Sequence, residues 1–148
     1  MLWGELFWDA TKATLAAEVV ALIGVVTGDF PPEALLTLLP VCFLSAFLFS
    51  AMGLASAGYA QSIDQLSYPQ YLFVFPMFLF CGVFYPLESL PAVLQKVAWI
   101  FPLTSVNAIV RSLTLGLPLQ IQAIPLLGVW LVVLVFVARR SMFRRLVK

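Results

Sequence analysis

The sequence predicts an all-α polytopic membrane protein, and three observations carry that prediction. Apolar residues make up 63% of the 148-residue chain and charged residues 10%, with a mean hydropathy of +1.06, beyond the balance of a soluble globular domain. The apolar residues gather into four stretches, each near the ~20 residues that cross about 30 Å of hydrocarbon. Paired prolines and most charged residues fall between those stretches, as helix breakers and water-seeking groups should.

The first span is expected over about residues 10–27 and the second over 34–62, with Pro40 one to two turns inside its start. Asp29, Phe30, Pro31, Pro32 and Glu33 separate them. The third is expected over about 68–85 and the fourth over 121–138, ending at Arg139 and Arg140. Ahead of the first span, MLWGELFWDATKAT lacks a basic region and a small-residue cleavage site, so no signal peptide is expected. Its Trp3, Phe7 and Trp8 suit either a short helix at the inner interface or the frayed start of the first span.

Orientation follows from lysine and arginine, which are retained on the cytoplasmic side of spans. Arg139, Arg140, Arg144, Arg145 and Lys148 place the C-terminus inside. Four spans then put Met1 inside, the 29–33 turn outside, the Asp64 turn inside and residues 86–120 outside. Lys12 agrees with this arrangement, while Lys96 and Arg111 fall on the outer side.

The stretch CGVFYPLESLPAVLQKVAWIFPLTSVNAIVRSLTLG, residues 81–116, is too apolar for a loop and too interrupted to cross twice. It carries Glu88, Lys96 and Arg111 together with Pro86, Pro91 and Pro102. Ser89 followed by Pro91 signals a helix start, with the helix running to about Ile100 and stopping at Phe101-Pro102. Ala92, Gln95, Lys96 and Trp99 share one of its faces. A second helix is expected from Thr104 or Ser105 to a stop at Gly116, with Pro118 beyond it. Its Thr104, Asn107, Arg111 and Thr114 form a polar stripe opposite Val106, Ile109, Val110 and Leu113. Apolar helices of such length read as interfacial or re-entrant, so residues 86–120 are expected to dip in from the outer face as a helical hairpin.

Several function classes are excluded by what is missing. The chain has no histidine and no GxxxxGK loop, and its Cys42 and Cys81 lie within apolar stretches as small hydrophobes. No metal, no cofactor and no hydrolytic chemistry is expected of this chain. The net charge of +1 is no nucleic-acid footprint, because the basic residues form a juxtamembrane tail.

The order GVFYPLESLP, a short helix, FPLTSVNAIVRSLTLG and a last span ending in arginines resembles the C-terminal part of type-2 ABC transporter permeases. It is most similar to the nodulation-type lipo-oligosaccharide exporters and the related drug and polysaccharide exporters. The resemblance extends upstream through GELFWDATKAT, the small-residue second span, Asp64 and Pro69, and so covers essentially the whole chain. Phe84, Pro86, Leu90, Pro91, Pro102, Leu103, Arg111 and Gly116 carry it together. It implies a membrane subunit that is not itself an enzyme, pairs with a second permease copy, and relies on a cytoplasmic ATPase subunit to hold ATP and Mg. It also implies the bacterial inner membrane as the location. Family members usually have six spans; this chain has the equivalent of the last four, with only the tail of the main coupling helix around residues 2–9.

Single residues admit sharper and blander readings. Glu18, near the middle of the first span, is either a conduit-facing carboxylate or a hydrogen-bonded structural one. Ala46, Ser50, Gly53, Ala57 and Ala60 recur at helical spacing, which lets a helix approach within the subunit or across a dimer. Tyr71, Phe73, Phe75, Phe78, Phe80, Phe84 and Tyr85 either line a path or face lipid. Arg111 meets an anionic substrate group, pairs with Glu88, or snorkels to the headgroups. Glu18, Glu88, Lys96, Asn107 and Arg111 are therefore the candidate conduit or gate residues, and Ala46, Ser50, Gly53 and Ala57 the candidate packing residues. Two rival classes share these features. One is a small proton-coupled multidrug exporter using Glu18, opposed by the long outer segment; the other is a non-transporting membrane assembly subunit.

Overall fold

The computed structural model describes residues 2–60 and 62–146. Among the described residues there is no strand, and the expected all-α class holds. The helices are α1 (Leu2–Thr27), α2 (Ala34–Tyr59), α3 (Ile63–Pro69), α4 (Phe75–Phe80), α5 (Ala92–Ile100), α6 (Pro102–Leu115) and α7 (Ala123–Leu146). A π-helical turn, Gln70–Val74, joins α3 to α4, and a 3₁₀ turn, Leu87–Ser89, precedes α5.

Among the described residues three helices are long and apolar enough to cross a membrane, over Trp3–Thr27, Ala34–Tyr59 and Ala123–Ser141, and the bent α5–α6 pair makes a fourth if it is counted as one span. The first differs from expectation because α1 begins at Leu2 without a break. The residues around Trp3 and Phe7 are neither a separate helix nor frayed. Their rings pack on α2, Trp3 stacking on Phe47 at 6.5 Å and Phe7 meeting Phe47 edge-on at 5.4 Å. The second span ends at Tyr59, short of the expected 62. The last begins at Ala123 and continues past Arg139 and Arg140 to Leu146. Arginine is a good helix former, so these two residues mark a solvent boundary rather than a helix stop.

Over the expected third span, 68–85, the helix is interrupted and its bounds differ. Its helical path runs from Ile63 to Phe80, about 27 Å of rise, through α3, the π-helical turn and α4. Pro69 and Pro76 each remove a backbone donor from the ladder, and a π-turn takes up the irregularity between them. The chain leaves the helix at Cys81, and Gly82 adopts φ +84°, a left-handed conformation costly to residues with a Cβ.

α2 is central, packing against α1, α6 and α7, while α6 also packs on α7. One core cluster joins Leu6 and Ala10 of α1, Leu48, Ala51 and Ala55 of α2, Val106 of α6, and Leu127, Leu134 and Ala138 of α7. A smaller cluster, Ala21 with Ala34 and Leu38, closes the other end of the α1–α2 pair. Large apolar side chains such as Val26, Leu36, Leu72 and Val132 point outward, as expected when lipid is the solvent. Hydroxyls inside these helices are satisfied locally, Ser45 donating to the Val41 carbonyl and Ser56 to that of Met52.

α2 approaches α7 closely at Gly58, where a Cβ would sit 2.6 Å from Ser141 Oγ and 3.1 Å from its backbone carbonyl carbon. Within this chain the buried contact stripe of α2 includes Leu48, Ala51 and Ala55, with Gly58 against Ser141 and Ala46 of the expected set packed beside it. Ala46, Ser50 and Ala57 are half-buried beside it, and Gly53 is exposed with no atom within reach of a Cβ.

Candidate functional site

The segment between the third and last spans folds as two helices that meet at Phe101 with a bend of 97°. Ser89 does not cap α5, contrary to expectation. Its hydroxyl donates to the Pro86 carbonyl within the 3₁₀ turn, and extended Pro91 occupies the position before the helix. α6 starts at Pro102, two residues ahead of the expected start, because proline at the first helical position lacks only a donor that the helix leaves free. It stops as expected at Gly116, which is left-handed at φ 64°.

The bend is a built feature with its polar groups paired. The Phe101 amide donates to the Ala98 carbonyl, which also accepts from Thr104 Oγ1 at 2.6 Å. Ile100, beside the bend, has its carbonyl bonded by the indole Nε1 of Trp130 at 2.9 Å across a separation of 30 residues. Phe73, from the π-helical turn, packs edge-on to Phe101 at 5.8 Å and against Trp130 at 6.4 Å. Three elements thus clamp one corner. The Trp130 contribution was not visible in the sequence, because a lone tryptophan in an apolar span reads as an interfacial anchor.

The polar stripe of α6 is real but turns inward in part. Thr104 is fully buried, and Thr114 is buried with its hydroxyl on the Val110 carbonyl. Ser105, off the stripe, is also fully buried, and its Oγ has no partner. Asn107 Nδ2 reaches back to the Cys81 carbonyl at 2.8 Å and so ties α6 to the exit of α4. A Cβ on Gly82 would stand 3.1 Å from Leu87 Cγ and 3.6 Å from Asn107 Nδ2, so this junction needs its glycine for space as well as conformation.

Arg111, one turn beyond Asn107, is half-buried and stands between two cavities. A 180 Å³ pocket is lined by Leu87, Glu88, Asn107, Arg111, Leu117 and Gln120. A second, of 310 Å³, is bounded by Gly82, Phe84, Pro86, Asn107 and Arg111. Of the candidate gate residues, the fold therefore gathers Glu88, Asn107 and Arg111. It does not pair Arg111 with Glu88: among the described residues the ion pair is Lys12 with Asp9, at 3.2 Å. Lys96 is exposed on α5 and lines neither cavity. Glu18 lies far along α1, half-buried and near enough to act electrostatically on Cys42 of α2, with its Oε1 buried and unpartnered.

The aromatic residues of the third span divide between two roles. Phe73 belongs to the clamp, whereas Tyr71, Phe75, Phe78, Phe84 and Tyr85 are exposed, with Phe78 and Phe84 meeting edge-on at 5.4 Å. A 620 Å³ groove at the opposite end is lined by Met52, Tyr59, Gln65, Tyr68, Leu72 and Val137. Among the described residues no cluster of three or more acidic or cysteine side chains is placed to hold a metal.

The family described as ABC-2 type transporter matches residues 1–115. The chain is similar to nodulation protein J of Rhizobium leguminosarum bv. viciae, with 31% identity over 147 residues, covering 98% of this chain and 57% of that protein. It is also similar to nodulation protein J of Rhizobium meliloti (strain 1021), with 33% identity over 116 residues, covering 78% of this chain and 44% of that protein. The chain spans about half the length of the curated relatives it matches. No solved structure matches it significantly.

Proposed function

The chain belongs to the ABC-2 type transporter family, and from that premise we propose that it supplies membrane-crossing path to an ABC-type exporter. In this reading it works with a second permease copy and a separate cytoplasmic ATPase subunit that holds ATP and Mg. The family is one of transport permeases, so the chain's part is conduction and gating rather than bond chemistry. Amphiphilic, glycan-type or drug molecules are the proposed cargo, as the resemblance to lipo-oligosaccharide, drug and polysaccharide exporter permeases implies.

The observation that carries the gating role is the clamped corner at Phe101. The helix pair is bent by 97°, and two carbonyls at the bend are bonded, that of Ala98 by Thr104 and Phe101 and that of Ile100 by Trp130, which lowers the cost of dipping the corner into hydrocarbon. We place α1, α2, the Ile63 to Phe80 path and α7 as four spans of one permease domain, residues 1–148. The α5–α6 pair then enters from the outer face. The exposed Arg139 and Arg140 near the end of α7 favour cytoplasmic termini in a bacterial inner membrane. Alternating access then amounts to movement of the corner against Trp130.

The test is co-purification of the permease with its ATPase, followed by ATP hydrolysis in nanodiscs. Association of the two and stimulation of hydrolysis by an amphiphilic substrate are expected. Absence of any complex would overturn the proposal.

A further inference from the structure

Two opposite charges face one small cavity in this protein without meeting. Glu88, on the 3₁₀ turn, is exposed, while Arg111, on α6, is half-buried, and both line the 180 Å³ pocket. They form no salt bridge. Arginine keeps its charge at every physiological pH and presents five donors in a planar fork. None of these donors has a protein acceptor among the described residues, so the guanidinium is disposed to take an oxoanion from outside the chain. A carboxylate on the same wall disfavours a ligand that is only anionic. It favours one whose second end is a cation with N–H donors.

The remaining lining fits that pattern. Asn107 has one Nδ2 hydrogen committed to the Cys81 carbonyl, which leaves its second N–H and its Oδ1 acceptor, while Gln120 likewise brings donors and an acceptor. Leu87, Leu117 and Pro118 provide an apolar wall for a short methylene link. The volume suits a headgroup rather than a whole amphiphile. Exposed Phe84, Tyr85 and Leu115 lie near it in the chain and offer apolar surface to a tail.

We propose that this pocket binds a zwitterionic phosphoester, with its phosphate on Arg111 and its primary ammonium toward Glu88, the chemistry of an ethanolamine phosphate group. The inference rests on the reading of α5 and α6 as a membrane-embedded pair, but not on ATPase coupling. The same group has two sources, a membrane lipid or a soluble phosphoester.

The experiment is native mass spectrometry of the full chain, titrated with phosphatidylethanolamine, phosphatidylglycerol and phosphatidylcholine of matched acyl chains. Wild type is expected to prefer phosphatidylethanolamine. Arg111→Gln should weaken the ethanolamine and glycerol lipids by about tenfold or more, the loss of a charge-assisted contact, with Arg111→Lys recovering part. Glu88→Gln, a near-isosteric change at an exposed position, should erase the preference for ethanolamine without weakening phosphatidylglycerol. Displacement of bound lipid by millimolar O-phosphoethanolamine assigns the site to the soluble group, and resistance to it assigns the site to the lipid. Retention of the ethanolamine preference by Glu88→Gln, or unchanged binding by a folded Arg111→Gln, would overturn the proposal. Failure of ATPase association leaves these affinities untouched, so the two readings fail separately.

Discussion

Two glycines of α2 offer a direct test of the packing. At Gly58 an added methyl group would lie 2.6 Å from Ser141 Oγ, 2.7 Å from its Cβ and 3.1 Å from its backbone carbonyl carbon, where about 3.5–4.0 Å is comfortable. Because one of those atoms is backbone, a rotamer change at Ser141 cannot clear the clash, and α7 must move away by several tenths of an ångström or more. Overpacking of that kind costs about 1–3 kcal/mol, set against a gain of about 1 kcal/mol from replacing glycine by alanine in a helix. At Gly53 nothing lies within 4 Å of the new methyl, so only the gain remains. Subtracting Gly53→Ala from Gly58→Ala cancels helix propensity, and the difference should be about 1–3 kcal/mol in the clash term alone. Reversible unfolding in mixed micelles, followed by the SDS midpoint, measures it. The double variant Gly58→Ala with Ser141→Gly, which removes Oγ and Cβ from the contact, should recover part of the loss. Equal midpoints for the two single variants would refute the α2–α7 register described above.

Other substitutions probe the clamp and the lone carboxylate. Trp130→Phe keeps the ring but loses the donor to the Ile100 carbonyl; the loss of about 1 kcal/mol should speed hydrogen exchange at the Phe101 and Thr104 amides roughly fivefold. Asn107→Leu severs the tie to the Cys81 carbonyl and should open the 81–86 segment to limited proteolysis while leaving the α1–α2 pair protected. Glu18→Gln keeps the side chain's size and replaces a carboxyl whose Oε1 is buried without a partner, so the variant should be at least as stable as wild type. A drop exceeding about 1 kcal/mol in that variant would reveal a partner for the carboxylate within the assembled transporter.

Much of this architecture was legible because membrane solvent imposes simple rules. The long apolar runs became α1, α2 and α7, and the stops at Phe101-Pro102 and Gly116 fell where proline and left-handed glycine chemistry put them. The bounds of the helical path over the third stretch were less legible, because prolines flank an irregular turn there. Pro69 and Pro76 produce a π-helical turn that no single residue announces. The last apolar span, Ala123–Ser141, falls close to the expected 121–138, and the helix runs on beyond it to Leu146 because exposed arginines extend helices readily. Within the candidate site, the Thr104 to Thr114 stripe was legible from spacing. The burial of Ser105 was not, since an amphipathic pattern cannot report that several neighbours converge on one short helix.

Composition and breaker positions by themselves determined that the chain is a helical membrane protein with an interrupted outer segment, because hydrocarbon demands long apolar helices and tolerates few others. Which face of each helix meets its neighbour was decided only in three dimensions. An α2 that is apolar all round carries no amphipathic signal, so the choice of Gly58 over Gly53 rests on backbone approach to Ser141. The same holds for the site. Sequence placed Glu88 and Arg111 in one segment, but only the bend at Phe101 and the return of the chain past Gly116 brought them to a shared cavity while keeping them unpaired.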